Sequence, residues 1–316
     1  MTVQQKAPRE GFSEALIRLG HQHEDLVVLD ADCAKSNLTN LFKDQFPTRF
    51  FNVGISECDL VGTAAGLAIG GKIPFANAYA NFLTGRAFDQ MRISVCYSNN
   101  NVKIVGHNAG TSAAQEGATH LPLEDISLMR SLPRMTVIVP ADSVEMEKAV
   151  EAAYHFEGPV YLRVGKLPVP IVTKKEDPFE IGKAIKYRDG DDVTLISTGI
   201  MLDETFKAAE QLSQKGIQAD VLHIHTIKPI DVAAIVKSAS KTGHVVTVEE
   251  HSIIGGLGSA VAEVLAENHP VPLKRVGTQD RFGVSGKMHE LLDFFQLRAS
   301  RIVSDVEELV NSALVK

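Results

Sequence analysis

Cysteine is scarce in this chain. Cys33, Cys58 and Cys96 are scattered, odd in number and without CxxC pairing, which excludes a disulfide framework. They read as small, free thiols of a protein working in a reducing cytoplasm. A basic stripe is also missing: the net charge is −7, and Lys174-Lys175 is flanked by Glu176 and Asp177 like a solvated linker. Nucleic acid is therefore excluded as a partner. No apolar run is long and charge-free enough to span a bilayer, and the polar stretch from Met1 to Glu10 does not read as a signal peptide. A cytoplasmic location with no membrane partner is the expectation. Neither GxxxxGKS/T nor GxGxxG after a strand occurs, so the common nucleotide loops are absent. His223 and His225 alternate on a strand and His251 follows Glu249-Glu250, but no third ligand stands at fixed spacing. They read as interface or polar-edge histidines, and no metal is assigned to this chain.

What is present is the composition of an ordinary globular protein, 44% hydrophobic and 22% charged over 316 residues, enough for two cores. Short β-branched runs alternate with helical periods, which predicts α/β architecture with doubly wound, mostly parallel sheets. Strands are expected at Leu26–Leu29, Pro74–Ala78, Val102–Val105, Thr136–Val139 and Val160–Val164, with helices such as Asp59–Ile69, Gly85–Cys96 and Ser143–His155 between them. Asp142 or Ser143 is placed to cap the last of these. A lysine- and proline-bearing stretch then interrupts the pattern before a second βα series starts near Val193. The chain divides into a larger domain over residues 1–170, a linker over 171–185 and a smaller domain over 186–316.

Chemistry concentrates in the first domain. Gly255-Gly256-Leu257-Gly258 in the second either offers backbone N–H groups to an anion or simply makes a tight turn, and no lysine or hydroxyl completes a phosphate cradle. Glu57 lies at a strand-to-helix turn among apolar neighbours. It either compensates the helix dipole or is a carboxyl held dry to share a proton with a heteroaromatic nitrogen. Tyr79 and Phe82 form either a stacking wall or core packing. The segments Gly106-His107-Asn108-Ala109-Gly110 and Gln115-Glu116-Gly117-Ala118-Thr119-His120 follow a strand end, where open α/β sheets bind ligands.

Taken in order, these segments resemble transketolases. The likeness runs through Asp30-Ala31-Asp32 with Ser36-Asn37-Leu38-Thr39, Gly54-Ile55-Ser56-Glu57, Gly85-Arg86-Ala87-Phe88-Asp89-Gln90, Glu116-Gly117-Ala118-Thr119-His120, Val139-Pro140-Ala141-Asp142 and Tyr161-Leu162-Arg163. It continues through Ser197-Thr198-Gly199, Ile227-Lys228-Pro229 and Glu249-Glu250-His251, so nearly the whole chain is covered. The resemblance implies a thiamine diphosphate pyrimidine-binding domain followed by a transketolase C-terminal-type domain. It also implies transfer of a two-carbon ketol unit between a ketose and an aldose. In this family the diphosphate and its cation occupy a separate N-terminal domain. The implied partner is therefore an N-terminal subunit holding most of the Mg2+ or Ca2+ site, in a dimer of heterodimers.

The resemblance assigns roles residue by residue. Glu57 matches the glutamate that hydrogen-bonds the pyrimidine nitrogen, with Tyr79 and Phe82 lining the ring's pocket. His120 matches a histidine beside the reacting carbons, and Glu116 stands where an aspartate usually meets a donor hydroxyl. Arg9, Ser36 and Arg163 match positions that hold the sugar's terminal anion. Asn108 aligns with a histidine of the family, and His107 is one residue off. That departure leaves a sugar sulfonate or a branched sugar phosphate open beside the common sugar phosphates. Two other readings are a deoxyxylulose-phosphate synthase-like enzyme or 2-oxo acid dehydrogenase beta subunit, and a non-catalytic interaction subunit. The second domain is expected to serve mainly in dimer contacts.

Overall fold

The computed structural model describes residues 4–313. Its larger sheet has seven strands in the order Thr226–Lys228, Thr136–Ile138, Val160–Val164, Lys103–His107, Ile73–Tyr79, Leu26–Asp30, Phe50–Asn52. The last six run parallel, while Thr226–Lys228 joins antiparallel at the edge. Strands buried on both faces need apolar residues at consecutive positions, and these have them. Val28, Phe75, Val105 and Leu162 point into one core with Phe12, Leu16 and Met146. Leu29, Ala76, Ile104 and Tyr161 point into the other with Leu60, Ala64 and Met91.

The smaller sheet has five strands in the order Leu273–Thr278, Val245–Ser252, Val193–Ser197, Ala219–His223, Ile185–Arg188, with the last antiparallel. Both domains are α/β with mostly parallel sheets, as the alternation predicts. Asp142 caps helix Ser143–His155 by accepting from Val144 and Glu145 amides.

Three elements differ from the sequence-based expectation. The stretch 85–96 is not one helix: it comprises the end of Ala80–Arg86, then Phe88–Gln90, then a π-helical segment Met91–Tyr97. Ile185–Arg188 is a short, charged edge strand whose composition mimics a linker. Thr226–Lys228 belongs to the sheet of the other domain, a pairing no local pattern encodes. The sheet register brings Tyr79, His107 and Val164 side by side at the carboxyl ends of neighbouring strands, where a ligand crevice forms.

Candidate active site

Glu57 is the first residue of helix Glu57–Ile69 and only 5% exposed. It makes no capping bond. Both carboxylate oxygens instead accept from Arg86 Nη1 at 3.1 Å. The Arg86 guanidinium lies 4.2 Å over the Phe82 ring. Phe82 and Tyr79 have ring centroids 6.2 Å apart, and His120 meets Phe82 edge-on at 4.8 Å and Tyr79 at 6.0 Å. Three rings thus form one wall beside a buried carboxylate. Thr119 Oγ1 lies 2.8 Å from His120 Nδ1, and Asn81 donates to the Thr119 carbonyl, tying the histidine's loop to helix Ala80–Arg86.

A second group of polar atoms gathers at the end of strand Leu26–Asp30. Asp30 is fully buried, and burial pushes its carboxyl up to about 6. It accepts from Cys33 N, Thr39 Oγ1 and Asn37 Nδ2, which fixes the loop between them. That loop presents Ser36, whose carbonyl accepts from Arg9 Nη1 at 2.7 Å. Arg9 Nε and Ser36 Oγ are buried with no hydrogen-bond partner. A cavity of about 420 Å3 opens here, lined by Ser36, Lys35, Lys43, Asp32 and Tyr79. Two orphaned donors beside two lysines suit an anion.

Asn108 and Glu116 are joined: Asn108 Nδ2 donates to both carboxylate oxygens at 3.3 and 3.1 Å, and Lys166 pairs with the same carboxylate. Asn108 has φ of 55°, a left-handed conformation that asparagine accepts more readily than most residues.

Two of the residues given roles by resemblance are engaged elsewhere in this structure. Arg163 does not reach the anion pocket with Arg9. It is 4% exposed, and its guanidinium donates to Asp125 at 2.8 and 3.2 Å and to the Glu250 carboxylate at 3.0 Å. His107 turns beneath the sheet surface, 1% exposed and edge-on to Phe12. Asn77 spends its amide donors on the Leu29 and Phe75 carbonyls, so its oxygen accepts from His107 Nε2 at 3.0 Å. Burial and the charge of Arg9 lower the imidazole to about 3. A neutral, enclosed ring supplies no positive charge to a substrate.

The histidines and glycines of the second domain find plain partners. His223 pairs with Glu145 across the domain boundary, and His225 stacks on Phe179. The amides of Leu257 and Gly258 are capped by Glu249, so the anion at that helix start is the chain's own. Gly256 is required there because a Cβ would stand 2.0 Å from a Glu249 oxygen. Among residues given no role from sequence, Arg86, Lys166 and Asp30 now touch or shape the site. Arg86 and Asp30 sit inside the segments already singled out. Lys166 lies 50 residues from Glu116, and no local signal marks it.

Residues 4–170 match the family described as Transketolase, pyrimidine binding domain, and residues 182–302 match Transketolase, C-terminal domain. The chain is 44% identical over 301 residues to the 6-deoxy-6-sulfo-D-fructose transketolase subunit SqwH of Clostridium sp. (strain MSTE9), covering 95% of this chain and 94% of that protein. It is 40% identical over 305 residues to an apulose-4-phosphate transketolase subunit of Phocaeicola vulgatus, covering 96% and 97%. Among solved structures, a split gene transketolase described as an inactive β4 tetramer superposes with a TM-score of 0.89 at 44% identity, over 98% of this chain and 99% of that one. A transketolase from Pichia stipitis shares the fold at 20% identity and a TM-score of 0.83, and this chain spans 47% of it. The chain belongs to the transketolase family, as a subunit made of its pyrimidine-binding and C-terminal domains.

Proposed function

We propose that this chain is one half of a split, thiamine diphosphate-dependent transketolase, moving a two-carbon ketol unit from a ketose to an aldose that ends in an anionic group. The observation that carries the reading is the placement of buried Glu57 beside the ring wall of Tyr79, Phe82 and His120. The residues fit the pyrimidine end of that cofactor: a carboxylate for its ring nitrogen and flat apolar faces for its ring. When bound, the cofactor supplies the nucleophilic carbon on which ketol transfer depends.

The chain's own residues then act around it. Glu57 holds a proton against the pyrimidine nitrogen, and Tyr79 and Phe82 keep water from the ring. His120 stands at the open edge of the wall, suited to moving a proton at the sugar's hydroxyl. Glu116, oriented by Asn108 and Lys166, accepts from a donor hydroxyl. Arg9 and Ser36, with their unpaired donors, take the terminal phosphate or sulfonate. The relatives named for a sulfonated ketose and for a ketose phosphate support a site that reads a terminal anion.

The diphosphate and its Mg2+ or Ca2+ are assigned to a partner subunit, in a dimer of heterodimers. Support comes from relatives named as subunits and from the β chain described as an inactive tetramer. Three unpaired thiols, and no helix among the described residues long and apolar enough to cross a membrane, fit a cytoplasmic enzyme. The test is reconstitution with a transketolase N-terminal subunit, thiamine diphosphate and magnesium, followed by ketol transfer between a ketose phosphate and an aldose phosphate, and between matched sulfonates. Transfer in either pair supports the proposal; decarboxylation of a 2-oxo acid with no ketol transfer overturns it.

A further inference from the structure

We infer that the second domain is a clamp on the substrate loop, with Glu250 as a positioning residue for Asn108, Glu116 and His120. Open parallel sheets leave a crevice at the carboxyl ends of their strands, where chains diverge to opposite faces. In the smaller sheet Val193–Ser197 lies between Ala219–His223 and Val245–Ser252, so the crevice opens past Ser197 and Ser252. The first domain fills it. Gly199 N donates to the Val139 carbonyl at 3.2 Å, and Glu250 reaches across to Thr111, accepting from its amide at 2.9 Å and its hydroxyl at 2.5 Å. A Cβ on Gly110, at φ of 61°, would stand 2.6 Å from the Glu250 carboxyl carbon, so the backbone is pressed against that group.

The grip is built for rigidity. Glu250 is buried, and a buried carboxylate needs both a counter-charge and donors. Arg163 supplies the charge at 3.0 Å and is itself held by Asp125, which also accepts from Tyr161. The far end of the same loop meets the second domain again. A Cβ on Gly117 would stand 2.4 Å from Ser285 Oγ, and one on Gly283 would stand 2.9 Å from Leu121. Between these two grips lie Glu116 and His120, with Asn108 just before. The loop is therefore held at both ends by a domain that supplies none of the assigned site residues.

The consequence for substrate rests on the proposed function; the clamp itself does not, and two arms separate them. In the first, amide hydrogen exchange is followed on the full chain alone. Thr111→Val and Glu250→Gln should each speed exchange over residues 110–117 several-fold, leaving strand Leu26–Asp30 unchanged. Thr111→Val keeps the buried ion pair, so it reports even where Glu250→Gln does not fold. Unaltered exchange over 110–117 overturns the clamp. In the second arm, the reconstituted complex should show the apparent KM for sugar rising roughly tenfold in both variants, with a smaller change in kcat. Glu249→Gln, which loosens the cap of helix Leu257–Asn268 and the contact with His251 but touches neither Thr111 nor Arg163, should lower Tm while leaving KM unchanged. A KM that stays fixed in the two clamp variants, or that rises equally in Glu249→Gln, overturns the positioning role. Absence of ketol transfer by the wild type counts against the proposed function, while the exchange arm still decides the clamp.

Discussion

Arg86 Nη1 lies 3.1 Å from both carboxylate oxygens of Glu57, so the proposed cofactor-activating carboxylate already has a counter-ion within its own chain. The two partners are unequal: Glu57 is 5% exposed, whereas the Arg86 side chain is 52% exposed. Water reaches the Arg86 end of the pair and screens it, so Arg86 can swing aside while the carboxylate stays. Glu57→Gln should therefore cut ketol transfer roughly a hundredfold or more with an unchanged Tm, since a carboxamide cannot trade a proton with a ring nitrogen. Arg86→Met should lose less than about tenfold. Equal damage in both, measured as kcat with saturating cofactor and partner, would mean that the ion pair acts as one unit.

Two arginines assigned one role by resemblance should behave differently. Arg9→Ala removes an unpaired donor held against the Ser36 loop beside the anion cavity and should raise KM about tenfold to a hundredfold, because a charge-assisted contact contributes about 1.5–3 kcal/mol. Arg163→Ala leaves Asp125 and Glu250 buried without their counter-charge, which costs about 3–5 kcal/mol of stability. Urea unfolding separates them: Arg9→Ala, which loses one bond to the Ser36 carbonyl, should unfold close to wild type, and Arg163→Ala at markedly lower urea. An Arg163→Ala protein with unchanged stability and a raised KM would return Arg163 to the anion site.

That divergence shows where sequence runs out. Alternating apolar runs announce both parallel sheets, because strands buried on two faces must be apolar throughout. Glu57, Tyr79, Phe82 and His120 stand in segments whose order is distinctive, and the fold brings them together. The fate of Arg163 depends on Asp125 and Glu250, which lie 38 and 87 residues away, and nothing near Arg163 encodes them. His107 and Asn108 are adjacent, but His107 ends strand Lys103–His107 with its ring buried beneath the sheet, while Asn108, past the strand end with φ of 55°, turns toward Glu116. Lys166 and the strand Thr226–Lys228 are legible only in three dimensions for the same reason.

His107 makes a prediction about acid. Its folded pKa, about 3, lies below the ordinary 6.5, so the unfolded chain takes up the proton first as pH falls. The folded state therefore loses stability from about pH 6.5 downward, by roughly 1.4 kcal/mol per pH unit, until pH reaches the folded value. Replacing the ring by a group that does not titrate removes this loss. Between pH 7.5 and 5.5 the unfolding free energy of wild type should fall about 1 kcal/mol further than that of His107→Gln. Parallel decreases would show that His107 charges freely in the folded protein, and so could face a substrate anion after all.

The proposed division of the cofactor between two chains is open to calorimetry. In the proposed arrangement this chain offers the pyrimidine end one carboxylate and three rings, and Lys35 and Lys43 line the cavity assigned to the sugar's anion. A diphosphate is held mostly by charge, through a divalent cation that needs several oxygen ligands in a fixed geometry. Stacking and one hydrogen bond contribute only a few kcal/mol, which sets a Kd of about 1 mM or weaker for thiamine diphosphate with magnesium on the chain alone. Adding the partner subunit should tighten binding by at least about a hundredfold, because the second chain brings the charged contacts without loosening the first set. Thiamine without its diphosphate should gain little from the partner, since it lacks the group assigned to that subunit. Micromolar binding of thiamine diphosphate by the lone chain would show that this subunit grips the diphosphate itself, and the split-site arrangement would fall.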